Sequence, residues 1–439
     1  MRGGVIVTGT GGGRRRRLVR YAAGGVVLLV LAAAGGGWAV YQKLNGNITA
    51  DEAAAAELAR YEKERPTALV RGAQNILVIG SDSRSGKENR KYGRDFGTER
   101  SDTAILLHLA ANRRSATAVS IPRDLMVDVP GCRRSDGSRT RPVFAMFNHA
   151  FQAGGSACSI RTVEKLTDIR IDHHAVVDFN GFKDMVDAVN GVTVCLRKPI
   201  NDRAAKLRLP AGKVKLNGEQ ALGYVRARKS IGDGSDTERM ERQQRFLGAL
   251  VTKVRSNDVL LNPVKLYPVL DAATSSLTTD PALANLRGLY DLVRGLRNIR
   301  TERVQFLTVP RESYDYNPNR DQLVEPEAEK LFDRLRRDAP VEVAKELPAD
   351  SGAKRSAETS GGDKESYEDS AEDSGEESYD YDLYDEGFDD DSGDHEDSYG
   401  DNYGWDDGKS GGKRNDGPSS RSSPAPTFRG NTAAEDACG

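Results

Sequence analysis

The sequence predicts an α/β protein: a single layered α-β-α domain on a central mixed β-sheet, preceded by one transmembrane helix and followed by a disordered acidic tail. Three observations carry this reading. Apolar runs with strand character alternate with helical patterns across residues 73–340, the mark of a layered α/β domain. An uncharged run covers residues 21–41. Charge is divided between two halves. Residues 341–439 hold 28 Asp and Glu against 9 Lys and Arg, so residues 1–340 carry +17 in a chain whose net charge is −2.

The elements follow in order. Residues 1–20 form a basic head containing Arg14, Arg15, Arg16, Arg17 and Arg20. About 20 apolar residues span a bilayer as a helix, which fits 21–41, and the arginines place the N-terminus in the cytoplasm. Tyr21, Trp38 and Tyr41 take the positions of interfacial aromatics. A cleaved signal peptide is the alternative, but the run is long for one and no small-x-small site follows promptly, so an uncleaved anchor is expected. Everything after Tyr41 then lies outside the cytoplasmic membrane, and no nucleic-acid partner is expected. Residues 42–72 read as a stalk, helical at 53–59 and closed by Pro66. Strands are expected at 75–80, 103–110, 117–121, 175–179, 192–196 and 304–309. Helices are expected at 144–152, 160–166, 182–189, 218–222, 237–255 and 281–297. The 237–255 helix shows an apolar stripe of Met240, Leu247, Leu250, Val251 and Val254, and a capping box from Ser235 and Glu238. Segment 224–228 reads as a strand, with Arg226 and Arg228 alternating onto one face. The acidic tail has too few aliphatic residues to offset the entropy of ordering.

The functional signal is a series of charged stations, each at the end of an apolar run or beside one. They are Asp82 with Arg84, Arg100 with Asp102, Arg123 with Asp124, Arg226 with Arg228, and Arg239 with Arg242, Gln243 and Gln244. Guanidinium groups suit phosphate oxygens because the planar fork donates paired hydrogen bonds and stays charged. Carboxylates among them, facing phosphates, suit Mg²⁺ or Mn²⁺. The start of the 237–255 helix adds exposed N–H groups and a favourable dipole beside Arg239 and Arg242. Together these features point to a pyrophosphate ligand.

In this order, with Ile169-Arg170-Ile171-Asp172-His173-His174 and Gly218-Glu219-Gln220-Ala221-Leu222 as further matches, the stations resemble the LytR-CpsA-Psr family of envelope proteins. The resemblance covers about residues 73–310 and extends weakly to about 337. It implies a membrane-anchored phosphotransferase that moves a glycopolymer from a polyprenyl-pyrophosphate carrier onto peptidoglycan, leaving a phosphodiester and releasing polyprenyl phosphate. It also implies Asp82 and Asp102 as Mg²⁺ ligands, and Arg100, Arg123, Arg226, Arg228, Arg239 and Gln243 as the residues on the pyrophosphate. An apolar pocket for the prenyl tail would be lined by helices at 144–151 and 182–189. Arg123 would stabilise the transition-state charge, and Asp102 and Asp124 are both candidates for the base. The expected partners are the lipid-linked glycan, the peptidoglycan acceptor and the cytoplasmic membrane. The same pocket would serve a lipid-pyrophosphate hydrolase, or a non-catalytic sensor of lipid-linked intermediates of the transcriptional-attenuator kind. The chain departs from the family pattern in a basic insertion at 84–97, placed to cover the site, and in its acidic tail.

The four cysteines lack metal spacing. In an exported domain an oxidised pair is expected. Cys132 and Cys158, flanking a polar loop and a helix, are the favoured pair. Cys195 reads as a buried thiol or an alternative partner, and Cys438 as a tail residue without structural role. His173 and His174 are adjacent and face opposite ways on a strand, which argues against a shared metal.

Overall fold

A mixed sheet of nine strands organises the described part of the protein. The computed structural model describes residues 12–81, 101–134, 136–203, 205–227, 236–255, 262–344 and 427–435. Helix α1 (Gly12–Asn47) leads into β1 (Thr49–Ala50), α2 (Glu52–Arg60), β2 (Gln74–Ser81), β3 (Ser101–Leu109), β4 (Ala116–Ile121), β5 (Met126–Val129) and β6 (Val143–Met146). Then come α3 (Asn148–Thr167), β7 (His173–Val177), α4 (Phe179–Ala188), β8 (Val192–Leu196), β9 (Ile200–Asp202), β10 (Leu207–Leu209) and β11 (Gly212–Leu216). The helices α5 (Gly218–Arg226), α6 (Asp236–Arg255) and α7 (Pro263–Ser275) precede β12 (Leu277–Thr279) and α8 (Leu286–Arg297). The remainder is β13 (Val304–Thr308), β14 (Arg311–Tyr314), β15 (Asn317–Leu323), α9 (Glu327–Arg336), β16 (Glu342–Ala344) and β17 (Thr427–Thr432).

The strand order is β1-β12-β7-β2-β3-β4-β13-β17-β16. β2 runs parallel to β7 and antiparallel to β3, β3 is antiparallel to β4, and β4 is parallel to β13. The carboxyl ends of β7, β2, β4 and β13 therefore share one edge with the start of β3. Alternation along the strands covers both faces, as a three-layer domain requires. Leu77, Ile79, Leu106, Val119 and Ile121 join a core with α2, α3 and α9. Ile76, Ile105, Ala116, Ala118 and Phe306 face the other way, with Ile299 and the partly buried Leu247, Leu292 and Leu296 against them. A separate apolar cluster gathers α4, α5, α6 and β8–β11 around Phe246, which contacts the rings of Phe182 at 5.4 Å and Tyr224 at 6.5 Å.

Several expectations are corrected here. The presumed stalk is folded into the body: β1 pairs with β12, and Ala54 and Leu58 of α2 enter the core. Arg65 donates to Glu164 on α3 at 2.8 and 3.1 Å, and Glu164 also accepts from the Ile171 amide at 2.9 Å. Residues 143–146 are a strand rather than the start of a helix, because they pair with β5 in the register Asp128↔Phe144. Residues 224–226 close helix α5 rather than forming a strand. A capping box between Asn217 and Gln220 starts that helix, and its hydrogen bonds outweigh the alternating side-chain pattern. The acidic tail is not uniformly without structure, since its residues 427–432 return as β17 between β13 and β16. Cys132 and Cys158 form a disulfide with Cα atoms 5.6 Å apart. Cys195 is also disulfide-bonded rather than a free thiol. His173 and His174 diverge, each meeting a different carboxylate at 3.2 Å: Asp280 for the first, Asp51 for the second.

Candidate functional site

The described stations collect at the shared sheet edge. β4 ends at Ile121, and Pro122 then turns the chain into Arg123 and Asp124. Ala104 of β3 pairs with Ile121, so Asp102 and Arg123 each lie two residues beyond that pair, at the same end. Ser81 closes β2 opposite Ser101, and Val177 closes β7 opposite Gly80. In open α/β sheets the carboxyl edge is where ligands bind, because the loops there are held by a rigid frame.

Arg123 donates through Nε to Asp124 Oδ2 at 3.2 Å. Asp124 also has Arg320 Nη1 within 3.9 Å of Oδ1, and its carbonyl accepts from the Asp321 amide at 3.1 Å. The pair is thus fixed from the β15 side. Arg226, the last residue of α5, lies over the Phe179 ring at 4.5 Å. Phe179 opens α4 directly after β7, where Asp178 caps the helix through the Gly181 amide at 2.7 Å. α4 and α5 approach closely because Gly218 has no side chain: a Cβ there would lie 2.5 Å from the Lys183 carbonyl oxygen. The Gly218 amide instead bonds Asp187 at 2.8 Å.

Helix α6 supplies the other half. Gln244 Nε2 donates to Ser120 at 3.2 Å and Thr308 at 3.1 Å, which locks the helix over the ends of β4 and β13. Gln243 donates to the Val225 carbonyl at 3.2 Å, and Arg242 Nη2 donates to the Ala227 carbonyl, so α6 also holds the end of α5. Arg239 is 5% exposed and Arg242 4% exposed. Burial pushes the Arg242 guanidinium below its usual range, and its Nε has no hydrogen-bond partner among the described residues. Arginine is almost never buried this deeply unless it is paired. Arg239 and Arg242 stand three residues apart on α6, both buried, and α6 also holds the end of α5 that carries Arg226. Burial also pushes the Tyr224 phenol up.

Asp82, Arg84, Arg100, Arg228 and Ser235 lie outside the described residues, as does the 84–97 insertion, and Asp102 is placed by its backbone only. No cluster of metal-binding side chains occurs among the described residues. The two segments expected to line one prenyl pocket belong to different cores: Phe147 and Phe151 lie in the α2–α3 core, and Phe182 packs with Phe246. A polar cleft beside Lys165, Asp333 and Arg336 lies away from the arginine stations. Sequence reasoning missed the anchoring roles of Phe179 and Gln244. The glutamine's place one residue after Gln243, on the face toward the sheet, was the available signal.

The chain thus combines a layered α/β domain, with buried arginines on the helix that crosses the carboxyl ends of its strands, and a preceding helix apolar enough over Arg20–Asn47 to cross a membrane. The chain belongs to the LytR_cpsA_psr family, whose model matches residues 40–337. It is 38% identical over 210 residues to the probable cell wall biosynthesis protein LcpB of Corynebacterium glutamicum, covering 46% of this chain and 47% of that protein. It is 30% identical over 321 residues to the polyisoprenyl-teichoic acid–peptidoglycan teichoic acid transferase TagT of Bacillus subtilis, covering 68% and 88%. The chain spans about half the length of the corynebacterial relatives LcpB and LcpA, 47% and 51%. A Streptococcus agalactiae protein of known crystal structure shares the fold, with a TM-score of 0.50 at 23% identity over 61% of this chain and 87% of that one.

Proposed function

We propose that the protein is a membrane-anchored transferase that moves a glycopolymer from a polyprenyl-pyrophosphate carrier to peptidoglycan. The observation that carries this is the burial of Arg239 and Arg242 on α6, at the sheet edge that also presents Arg123 and Arg226. Membership of a family that includes a named polyisoprenyl-teichoic acid–peptidoglycan transferase supports the substrate classes.

An acceptor hydroxyl attacks the phosphorus that bears the glycan. The bond from that phosphorus to the bridging oxygen breaks, and polyprenyl phosphate leaves with the bridging oxygen. The hydroxyl proton passes to a carboxylate, either Asp102 or Asp124. Arg123, Arg226, Arg239 and Arg242, with Arg100 and Arg228, donate to the phosphate oxygens as charge spreads over them. Gln243 stays beside them through its bond to the Val225 carbonyl. Asp82 and Asp102 directly follow Ser81 and Ser101, which pair across β2 and β3. Asp102 lies in β3 and Asp82 is the next residue in the chain after the end of β2; these two carboxylates would hold Mg²⁺ or Mn²⁺, which would neutralise pyrophosphate charge. Helix α1 anchors the domain in the cytoplasmic membrane with its basic head inside and the sheet outside. Lys43 at its outer end bonds Tyr267 at 3.0 Å and Asp271 at 3.2 Å on α7.

The test uses the full-length chain in detergent with a lipid-linked glycan pyrophosphate, Mg²⁺ and a peptidoglycan fragment. The expected result is a glycan–phosphodiester product with equimolar polyprenyl phosphate, reduced about 100-fold or more in Arg123→Ala and Asp102→Ala. Chelation of the divalent ion should also abolish turnover. Polyprenyl phosphate without a joined product would turn the reading to hydrolysis, and tight lipid binding without turnover would turn it to a sensor.

A further inference from the structure

Three aromatic rings stand in a row on the β5–β6 and β14–β15 hairpins, which join the segment that follows Arg123 and Asp124. Phe144 of β6 lies 6.1 Å from Tyr314 of β14, and Tyr314 lies 5.4 Å from Tyr316 in the following turn, with the planes tilted by 55° and 53°. Phe144 is 51% exposed and Tyr316 87% exposed. Exposed aromatic side chains grouped in this way mark a recognition surface rather than a packing accident. We propose that Phe144, Tyr314 and Tyr316 form a carbohydrate subsite that seats a sugar ring of the acceptor glycan strand. This deepens the transfer reading above and rests on it for the acceptor role.

The chemistry favours a sugar. A pyranose ring turns a face of C–H groups outward, and those weakly positive hydrogens suit the negative face of an aromatic ring. Its hydroxyls need planar acceptors and donors at the rim. The hairpin provides them in Glu312, Asp315, Asn317, Asn319 and Gln322, with Glu312 and Gln322 paired at 3.1 Å. A membrane surface would instead require unpaired basic residues around the rings. The β14–β15 hairpin, which carries two of the three rings, has two cations, and both are engaged: Arg311 pairs with Asp321, and Arg320 lies 3.9 Å from Asp124; the exposed Arg139 and Arg141 belong to the connection before β6.

Position assigns the subsite to the acceptor. The two hairpins connect directly to the reacting edge. Leu125, next to Asp124, bridges to Asp321 of β15, and Phe144 pairs with Asp128 of β5. They follow β4 and β13, while α1 enters at the β1–β12 edge. β12 and β4 are four strand spacings apart in the sheet order, about 19 Å. In an in-line displacement the nucleophile arrives opposite the leaving group. A leaving polyprenyl phosphate drawn toward the membrane side puts the incoming hydroxyl on the side of the aromatic row.

The experiment measures binding of β-1,4-linked N-acetylglucosamine oligomers and uncrosslinked peptidoglycan strands to full-length protein in detergent, by calorimetry and saturation-transfer NMR, without any lipid donor. Tyr316→Ala and Phe144→Ala should weaken binding about tenfold and raise the acceptor KM with kcat held. Tyr316→Trp should retain both, and melting temperatures should not move because the side chains are exposed. Equal glycan binding in wild type and both alanine variants would overturn the subsite, as would ring-dependent binding to anionic vesicles in place of glycan. A wild type that makes no product yet binds glycan through these rings would refute transfer and uphold the subsite. Product formation with an acceptor KM unmoved in the variants would do the reverse.

Discussion

At the scale of single residues, the unusual feature is charge held out of water. Arg242 is buried and its guanidinium is incompletely satisfied among the described residues, an arrangement that costs stability. Arg242→Met keeps the volume and removes the charge. We expect a melting temperature equal to or above wild type, with affinity for a polyprenyl-pyrophosphate analogue down about 10- to 100-fold, measured by thermal scans and by direct titration. A clear drop in melting temperature would show that the arginine serves packing instead. Two carboxylates work in the opposite sense. Burial alone would raise Asp51 and Asp280, but hydrogen bonds from His174 and His173 respectively, with backbone amides, hold both below the usual aspartate value of 3.8. A lowered folded value means that the unfolded chain binds protons first. The stabilisation is therefore complete above about pH 4 and is lost as pH falls through the lower folded values. Urea midpoints from pH 7 to pH 3 should decline on the acid side, and Asp51→Asn should flatten that decline. The arginine stations were legible in the sequence because each sits where an apolar run stops. Phe179 beneath Arg226 was not, since a ring under a guanidinium from another helix leaves no trace in local spacing.

At the scale of elements, helix α6 joins everything that matters. Its polar side reaches β4, β13 and the end of α5, and Phe246 on its apolar side fills the second core at 0% exposure. Phe246→Ala should cost about 3–5 kcal/mol, read as a shift in denaturant midpoint, and should lower turnover as well because the arginines ride on the same helix. The helix itself was legible from its stripe of Met240, Leu247, Leu250, Val251 and Val254. Helix α5 was partly misread. Tyr224-Val225-Arg226-Ala227 alternates as a strand does, and only the Asn217–Gln220 cap, seven residues upstream of Tyr224, discloses the true period. Strand β6 was misread because Val143–Met146 gains its pairing from β5, a long-range contact that outweighs local preference. Helix α7 was overlooked because Pro268 inside it argues against helix on local grounds. Glu164, held between Arg65 and the Ile171 amide, ties the segment after α2 to α3. Removing one partner of such a buried pair, as in Glu164→Gln, should cost about 3–5 kcal/mol, measured by chemical denaturation.

At the scale of the whole molecule, composition and periodicity disclosed the membrane-length helix, the layered domain and the acidic stretch, but not where the domain ends. The final strand is the reason. β17 lies inside the sheet, where Phe428 is buried, the Ala433 amide donates to the Val304 carbonyl at 2.8 Å, and Arg429 reaches Glu241 on α6 at 3.0 Å. Nine residues beyond a long acidic stretch give no local hint of a partner some 120 positions earlier. A chain ended at residue 344 should lose roughly 2–4 kcal/mol from the exposed Phe428 site and the broken ladder. Deleting only residues 360–415 should leave the denaturant midpoint within error of wild type. Equal stability of the two shortened chains would mean that β17 contributes nothing to the fold.

β16 and β17 are neighbours in the sheet, with Glu342 opposite Thr427 and Ala344 opposite Arg429. Residues 345–426 therefore leave and rejoin the domain at one place. A free extension of that length could stretch to about 280 Å, but a loop moored at both ends can carry its midpoint no farther than about 140 Å. Whatever the acidic stretch meets in the envelope, it must meet within half the radius its length suggests. A single proteolytic cut close to either end of the stretch would release an arm with nearly twice that reach.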